Sequence, residues 1–584
     1  MAPVSLETCT LESSCKLPLS EYIFRRIASL GIHNIFGVPG DYNLSFLEHL
    51  YSVPELSWVG CCNELNSAYA TDGYSRTIGH DKFGVLLTTQ GVGELSAANA
   101  IAGSFAEHVP ILHIVGTTPY SLKHKGSHHH HLINGVSTRE PTNHYAYEEM
   151  SKNISCKILS LSDDLTNAAN EIDDLFRTIL MLKKPGYLYI PCDLVNVEID
   201  ASNLQSVPAN KLRERVPSTD SQTIAKITST IVDKLLSSSN PVVLCDILTD
   251  RYGMTAYAQD LVDSLKVPCC NSFMGKALLN ESKEHYIGDF NGEESNKMVH
   301  SYISNTDCFL HIGDYYNEIN SGHWSLYNGI NKESIVILNP EYVKIGSQTY
   351  QNVSFEDILP AILSSIKANP NLPCFHVPKI MSTIEQIPSN TPISQTLMLE
   401  KLQSFLKPND VLVTETCSLM FGLPDIRMPE NSKVIGQHFY LSIGMALPCS
   451  FGVSVALNEL KKDSRLILIE GDGSAQMTVQ ELSNFNRENV VKPLIILLNN
   501  SGYTVERVIK GPKREYNDIR PDWKWTQLLQ TFGMDDAKSM KVTTPEELND
   551  ALDEYGNNLS TPRLLEVVLD KLDVPWRFNK MVGN

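Results

Sequence analysis

The chain has 584 residues, of which 42% are hydrophobic and 20% charged, which is enough apolar material for several globular cores. The formal net charge of −19 disfavours general nucleic-acid binding and gives no attraction to anionic membranes. No apolar run reaches the roughly 18 residues of a transmembrane helix. The N-terminus lacks a signal-peptide pattern and the 13 cysteines form no CxxC motif, so we expect reduced thiols in a cytoplasmic protein.

The first third alternates short apolar runs with helical patterns. Four runs read as strands: FGVP (36–39), KFGVLLTT (82–89), ILHIVG (111–116) and GYLYIP (186–191). The intervening stretch ELSAANAIAGSFAEH has helical spacing. Strands that alternate with helices in this way predict a parallel α/β sheet.

Two polar stretches divide the rest of the chain, and we interpret residues 201–222 and 387–394 as linkers. Strand-like runs between and after them lie at 241–248, 309–314, 334–340, 410–415, 465–470, 493–500 and 563–569. We therefore predict three consecutive parallel-sheet α/β domains, at residues 1–200, 215–375 and 390–584.

The most informative segment is RLILIE followed by Gly471-Asp472-Gly473-Ser474 and a helical pattern. A second strand-like run ends at Asn500, 28 positions after Asp472. Because the carboxyl ends of parallel strands meet at one edge of a sheet, we expect the carboxylate and the amide to be neighbours. Together with a backbone carbonyl, for which Gly502 is the candidate, they would offer Mg²⁺ the oxygen ligands it prefers.

The same motif indicates a phosphate site. Gly471 and Gly473 allow the chain to approach a phosphate closely, and Ser474 opens a helix whose first amides favour anions. The alternative is a plain strand–turn–helix, since an isolated GDG is common.

At this point the sequence resembles thiamine-diphosphate enzymes, whose signature is GDG followed nearly thirty residues later by NN. More closely, it resembles the fungal pyruvate decarboxylases and related 2-oxo acid decarboxylases, from about residue 18 to about residue 570. The likeness is carried by FGVPGDYNLSFLEHL, NELNSAYATDGYSR, GVGELSAANAIAGSFAEHVPILHIVG, GDGSAQMTVQEL and LLNNSGYTVERVIKGPKREYNDI.

The resemblance implies a pyrimidine-binding domain (1–200), a central domain (215–375) and a diphosphate- and Mg-binding domain (390–584). It also implies active sites shared between the subunits of a homodimer or homotetramer, with thiamine diphosphate and Mg²⁺ as cofactors. The implied reaction is non-oxidative decarboxylation of a 2-oxo acid to an aldehyde through an ylid and an enamine of the cofactor.

The resemblance assigns cofactor contacts to several residues. Glu64 would bind the aminopyrimidine and help to generate the ylid, and Ile443 would force the cofactor into its bent, reactive shape. Thr416 and Ser418 would bond phosphate or pyrimidine, although they could be simple turn residues. Two departures stand near them, because Leu441 and Cys417 replace glycines of the family pattern.

Proton handling is implied for Asp41 and Glu506, which match two active-site carboxylates of the family. Two acids beside a decarboxylating anion are expected to have raised or separated pKa values. The histidine run 128–131 matches a family histidine pair in one of two registers, His130 with His131 or His129 with His130. An incidental polar loop or a weak metal site are the alternatives.

The substrate is not decided by these residues. Val505 should face it, and a smaller side chain than the usual isoleucine leaves room for a branched or aromatic acid. Leu419 and Met420 are bulkier than their counterparts and would fill that room again. Pyruvate is the leading prediction, and phenylpyruvate, indolepyruvate and 2-ketoisocaproate form the alternative. A catalytically silent cofactor-binding regulator is a further possibility, as is a carboligating or flavin-bearing synthase.

Overall fold

The computed structural model describes residues 15–135, 137–380, 392–520, 523–556 and 559–583. One compact unit comprises the residues up to Ser67 with Lys82–Ala98 and Pro110–Arg215. The second comprises Ala68–Asp81, Asn99–Val109 and the residues from Val216 onward. Each third of the chain contributes one sheet flanked by helices, which confirms the predicted α/β class.

The first sheet has the strand order β3-β2-β4-β5-β7-β6, and all its pairings are parallel. A separate antiparallel pair joins β1 to β8. The strands of this part are β1 (Lys16–Pro18), β2 (Asn34–Gly37), β3 (Ser57–Gly60), β4 (Gly84–Thr89), β5 (Ile111–Thr117), β6 (Lys157–Ser160), β7 (Gly186–Pro191) and β8 (Glu198–Asp200). Its helices are α1 (Leu19–Ser29), α2 (Leu44–Glu48), α3 (Glu64–Ile78), α4 (Val92–Ala106), α5 (Tyr120–Lys123), α6 (Ala146–Ser151), α7 (Ala168–Leu182), α8 (Asn203–Ser206) and α9 (Ala209–Arg213).

The central strands β4, β5 and β7 are buried along their whole length, which is why their sequences are continuous apolar runs without alternation. The predicted linker 201–222 is wrong in part. It contains α8 and α9 and the start of the next helix, and Leu212 is fully buried. Its polar composition reflects short helices with mostly exposed faces.

The middle sheet has the order β11-β10-β9-β12-β13-β14-β15. Its first five strands are parallel, and β14 and β15 add an antiparallel edge. The elements are α10 (Ser221–Ser237), β9 (Pro241–Cys245), α11 (Leu248–Arg251), α12 (Thr255–Leu265), β10 (Cys269–Asn271), β11 (Tyr286–Asp289), α13 (Lys297–Ile303), β12 (Cys308–Ile312), β13 (Ile335–Leu338), β14 (Tyr342–Ile345), β15 (Gln348–Gln351) and α14 (Phe355–Ala368).

The third sheet is parallel throughout, in the order β17-β16-β18-β19-β21-β20. Residues 387–391 of the second predicted linker lie outside the described residues. The elements are α15 (Gln395–Phe405), β16 (Val411–Thr414), β17 (Lys433–Ile435), α16 (Ala446–Glu459), β18 (Leu466–Gly471), α17 (Asp472–Thr478), β19 (Pro493–Asn499), α18 (Thr504–Ile509), α19 (Leu528–Thr531), β20 (Lys538–Val542), α20 (Pro545–Tyr555), β21 (Arg563–Val568) and α21 (Trp576–Met581).

Helix α16 makes backbone contact with the later part of α3. A Cβ built on Gly452 would collide with the carbonyl oxygen of Ala70, and one on Gly73 would collide with that of Cys449. Only glycine allows so close a crossing. Among the described helices, none is both long and apolar enough to span a bilayer.

Candidate active site

The GDG motif and the NN pair meet at the carboxyl edge of the third sheet, as predicted. Strands β18 and β19 are parallel neighbours, with Gly471 paired to Leu498, so the residues that follow each strand end side by side. Helix α17 begins at Asp472, two residues before the predicted start at Ser474. The buried Asp472 carboxylate accepts hydrogen bonds from the amides of Gly473 (2.8 Å) and Gly502 (3.1 Å).

Three oxygen atoms converge at this corner. In one assignment of the Asn500 amide, its oxygen lies 3.2 Å from Asp472 Oδ1 and 2.7 Å from the Gly502 carbonyl oxygen. In the swapped assignment the amide nitrogen donates hydrogen bonds to both. The first arrangement places acceptor against acceptor, which a bound cation would relieve, whereas the second satisfies the same atoms by hydrogen bonds alone. Carboxylate, amide and carbonyl oxygens are the ligands of a hard divalent ion.

The electrostatics of the corner also favour a cation. Burial raises the pKa of Asp472 to about 7, against hydrogen bonds from the amides of Gly473, Gly502 and Ser501 and the charge of Arg507. Arg507 is itself buried and donates to the carbonyls of Asn500 (3.0 Å) and Ser501 (2.6 Å). It fixes the loop that carries two of the three oxygens, a role that sequence reasoning missed.

A cavity of about 310 Å³ opens beside this corner. It gathers the cofactor and metal residues predicted for the C-terminal domain, together with the predicted acid Glu506. They are Thr416, Ser418, Ile443, Asp472, Gly473, Ser474, Asn500, Gly502, Val505 and Glu506. The structure therefore brings these residues to one place, and their chemical roles remain predictions.

The hydroxyl groups of Thr416 and Ser418, which follow β16, differ in how many hydrogen bonds they make within the protein. Ser418 is buried and exchanges two hydrogen bonds with Gln395 (2.8 and 3.0 Å), so its hydroxyl is largely committed within the fold. Thr416 Oγ1 makes one long contact with the Gln437 carbonyl (3.4 Å). Cys417, between them, lines the cavity, and burial raises the pKa of its thiol to about 12. The cysteine is therefore neutral at physiological pH.

Leu441, which departs from the family glycine, adopts a backbone conformation that glycine accepts readily. Leu441 has φ +57°, in the left-handed region that favours glycine. Ile443 follows two residues later, is 37% exposed and lines the cavity, and its contact with a cofactor stays a prediction.

Leu419 and Met420 do not narrow the cavity, contrary to the prediction that they fill the substrate space. Leu419 is fully buried in the core of the third sheet. Met420 is buried behind the cavity wall, in the apolar cluster that also contains the lining residues Phe421 and Phe578. Both belong to a 3-10 helix, Ser418–Asp425. The sequence did not indicate which of its side chains face the cavity and which face the core. Val505 lines the cavity as predicted.

In the other compact unit, Asp41 lies against two histidines. His130 Nε2 hydrogen-bonds Asp41 Oδ2, and His131 Nε2 lies 3.6 Å from Oδ1, which favours the 130–131 register. Tyr42 stacks on His130 at 5.0 Å and donates to its carbonyl oxygen at 3.0 Å. One possible metal-ligand atom from each of Asp41, His130 and His131 lies within 4.8 Å of the other two. This geometry is compatible with the alternative of a weak metal site.

Of the two expected outcomes for these acids, raised or separated pKa values, the first does not hold for Asp41. Burial opposes its ionisation, but the hydrogen bond from His130 and the charges of His130 and His131 outweigh burial and lower the pKa. Asp41 is therefore an anion at neutral pH, placed to hold an imidazole and its proton.

Glu64 is the first residue of α3 and is partly exposed. Its carboxylate lies over Gly93 in the same unit, where a built Cβ would stand 3.1 Å from Glu64 Oε1. A side chain at position 93 would press on the carboxylate, so the glycine keeps that space open.

Comparison with known proteins decides the family. Residues 18–138 match the profile of the thiamine pyrophosphate enzyme N-terminal TPP binding domain, 228–363 its central domain and 416–567 its C-terminal TPP binding domain. The chain belongs to the thiamine-diphosphate-dependent enzymes.

Similar proteins cover almost the whole chain. A Saccharomyces cerevisiae protein named transaminated amino acid decarboxylase is 37% identical, over 100% of this chain and 98% of its own length. Pyruvate decarboxylase isozyme 3 of the same yeast is 35% identical, over 96% of this chain and 97% of its own. The pyruvate decarboxylase of Hanseniaspora uvarum is 34% identical, over 96% of each.

The thiamine-diphosphate-dependent decarboxylase has further cavity residues that sequence reasoning missed. Ile319 comes from the middle α/β part, Phe421 from the segment after β16, and Phe578 and Met581 from α21. Phe421 and Phe578 pack with ring centroids 5.1 Å apart. Isolated apolar residues carry no sequence signal that separates a cavity wall from a core.

Proposed function

We propose that the preferred substrates of this decarboxylase are 2-oxo acids with a bulky branched or aromatic side chain. The observation that carries the proposal is the apolar cavity wall. It is formed by Ile319, Phe421, Leu441, Val505, Ile509, Phe578 and Met581. Such a wall stabilises a large apolar substituent by roughly 25 cal/mol for each Å² removed from water, whereas a methyl group would use little of it.

Pyruvate, giving acetaldehyde, is the second candidate substrate. It is favoured by the pyruvate decarboxylases among the relatives at 34–35% identity. The name of the relative at 37% identity also admits the bulky class, because transamination of branched or aromatic amino acids yields 2-oxo acids with those side chains.

We propose that Asp472, Asn500 and the Gly502 carbonyl hold Mg²⁺, and that Ser474 and Gly473 lie against the diphosphate. When bound, thiamine diphosphate supplies the nucleophilic carbon and takes up the electron pair left by departing CO₂. Glu64 would hold a proton at the pyrimidine. Ile443, Thr416 and Ser418 line the same cavity and would contact the cofactor.

Proton handling is proposed for Asp41, His130, His131 and Glu506. Asp41 stays ionised and orients the imidazole of His130, which can hold a proton and deliver it to the carbon that loses CO₂. Glu506 faces the cavity and would act on the same atom or on the departing aldehyde.

We further propose a cytoplasmic homodimer or homotetramer with active sites shared between subunits. Free thiols at all the cysteines within the described ranges suit a reducing compartment. Exposed apolar side chains near the cavity, Ile443 (37%) and Met477 (46%), suit burial against a partner.

The substrate proposal is tested by steady-state kinetics on pyruvate, 2-ketoisocaproate, phenylpyruvate and indolepyruvate, with and without thiamine diphosphate and Mg²⁺. We expect aldehyde and CO₂ only with both cofactors, and kcat/KM at least about tenfold higher for a bulky acid than for pyruvate. A pyruvate preference of that size would overturn the proposal in favour of the second candidate.

A variant series sharpens this test. Val505→Ile should lower kcat/KM for the aromatic acids about 10-fold or more and leave pyruvate within a factor of about three, because one methylene is added to the wall. Val216→Ile is the matched control, since it adds the same methylene at an 80% exposed site that is not part of the cavity lining. Equal losses for all four acids in Val505→Ile would show that Val505 does not face the side chain of the substrate.

A further inference from the structure

One turn of the cavity wall is held from outside by a cluster of hydrogen bonds. The turn runs from Gln437 to Gly444 and contributes Leu441 and Ile443 to the lining. Leu441 is left-handed, with φ +57°, a conformation that costs free energy for any residue with a Cβ. Such a conformation persists only where its surroundings determine it, and the neighbouring Ser442 is hydrogen-bonded to those surroundings.

The hydrogen-bond partners of Ser442 are not among the residues that line the cavity. Its hydroxyl lies 2.8 Å from Tyr69 Oη and accepts from Asn99 Nδ2 at 2.9 Å. Its backbone N–H donates to Gln437 Oε1 at 3.0 Å, which closes the turn on itself.

The partners of Ser442 are themselves fixed. Asn99 Nδ2 also donates to Tyr69 Oη (3.1 Å), and its Oδ1 accepts from Tyr440 Oη (3.2 Å). The Gln437 side chain lies directly on the backbone of α4 at Gly103, one helical turn beyond Asn99. Tyr69 is 1% exposed and therefore cannot move aside.

We propose that Tyr69, Asn99 and Gln437 are positioning residues that hold Ser442, and thereby hold Leu441 and Ile443 in the cavity-lining conformation. The proposal rests on the proposed role of this cavity as the cofactor site. The claim that these residues hold the turn concerns the chain alone, and it can be tested without cofactor.

The first test is hydrogen–deuterium exchange of the cofactor-free protein, read on peptides covering residues 437–444. Ser442→Ala and Tyr69→Phe should each speed exchange in this turn about tenfold, the effect of losing one side-chain hydrogen bond, and leave strand β18 unchanged. Ser442→Thr retains the hydroxyl and should restore slow exchange. Ser404→Ala is the matched control, since it removes a hydrogen bond to Lys401 elsewhere.

The decisive comparison uses Leu441→Gly, which removes the backbone strain. In that background the effect of Ser442→Ala on exchange should fall below about threefold, because glycine adopts a left-handed conformation readily. If the serine substitution has the same effect in both backgrounds, or none in either, the proposal is wrong.

The effect on cofactor binding and turnover is measured in a separate experiment. Tyr69→Phe should weaken thiamine diphosphate binding several-fold and lower kcat more than it raises KM, because a misplaced Ile443 affects the reacting geometry. Altered exchange with unchanged thiamine diphosphate affinity and kcat would overturn the positioning role. A wild-type protein that releases no CO₂ while the exchange predictions hold would overturn the proposed function alone.

Discussion

The proposed role of Asp472 as a Mg²⁺ ligand requires an ionised carboxylate, but its burial disfavours the ionised form. Its pKa of about 7 in the folded chain compares with an ordinary value of 3.8, so folding holds a proton that the unfolded chain releases. Without Mg²⁺ and cofactor, Asp472 should therefore cost stability increasingly from about pH 4 to pH 7. We predict that the melting temperature of Asp472→Asn rises relative to wild type across this window and then stays level.

The same variant should lose the Mg²⁺-dependent stabilisation that wild type shows with thiamine diphosphate. Thermal melts at pH 4–8, with and without both cofactors, measure the two effects. Asp550→Asn, an exposed acid, is the control and should keep the Mg²⁺ effect. A melting-temperature difference that does not vary with pH would contradict the assignment of the raised pKa.

Asp41 presents the opposite case, an acid whose charge two imidazoles stabilise. We predict that Asp41→Asn lowers kcat by about 10²–10⁴-fold, the range for lost general acid–base catalysis. Affinity for thiamine diphosphate should stay within a factor of about three, because the proposed role is proton handling. Asp164→Asn, which removes the charge of an exposed acid and keeps its capping oxygen, should leave kcat unchanged. Weakened cofactor binding with intact kcat would contradict this role.

How much of the site the sequence could predict depended on the kind of residue. Polar motif residues such as Asp472 and Asn500 were found because their spacing and strand ends are visible in the chain. Leu419 was misplaced because a 3-10 segment has no readable face at that length. Phe578 could not be found, since it reaches the cavity from a helix more than a hundred residues away from the motif.

At the scale of elements, continuous apolar runs marked the central strands well. β14 and β15 were missed because they lie at the sheet edge, where half-exposed side chains such as Lys344 and Gln348 hide the strand pattern. Helices α8 and α9 were read as linker because each is too short to show a periodic apolar face.

The loop after β10 contains a buried ion cluster that the sheet needs for stability. Lys276 Nζ contacts Glu281 and Asp289 at 2.7 Å each and donates to the Ile426 carbonyl at 2.6 Å. We predict that Lys276→Met destabilises the protein by about 3–5 kcal/mol, because two buried acids lose their counter-ion. Denaturant unfolding measures the change.

The control for this prediction is another lysine ion pair. Lys367 pairs with Asp260 at 2.7 Å, but both side chains are more than half exposed. Lys367→Met should change stability by no more than about 1 kcal/mol, since exposed pairs contribute little. Similar losses for both variants would show that burial is not what makes the Lys276 cluster important.

For the whole molecule, assembly is the main open prediction. Val92 and Leu95 are 54% and 45% exposed at the start of α4, an apolar pair that an isolated chain would leave in water. We expect wild type to run at two or four times the 65.1 kDa chain mass in light scattering, and Leu95→Glu to shift the mass downward with loss of decarboxylation. Tyr51→Glu, at a 75% exposed site, should change neither. A wild-type monomer with full activity would contradict the assembly.

The contact between Gly452 on α16 and Ala70 on α3 acts as a fixed spacer. Because only hydrogen atoms separate the two backbones, the two helices cannot come closer together at this point. Helix α16 begins just after the turn that carries Ile443. One added methyl group, as in Gly452→Ala, would displace that turn without touching the cavity. Directed-evolution libraries aimed at a wider substrate range should therefore leave Gly452 and Ala70 unchanged and vary cavity-lining residues outside this turn.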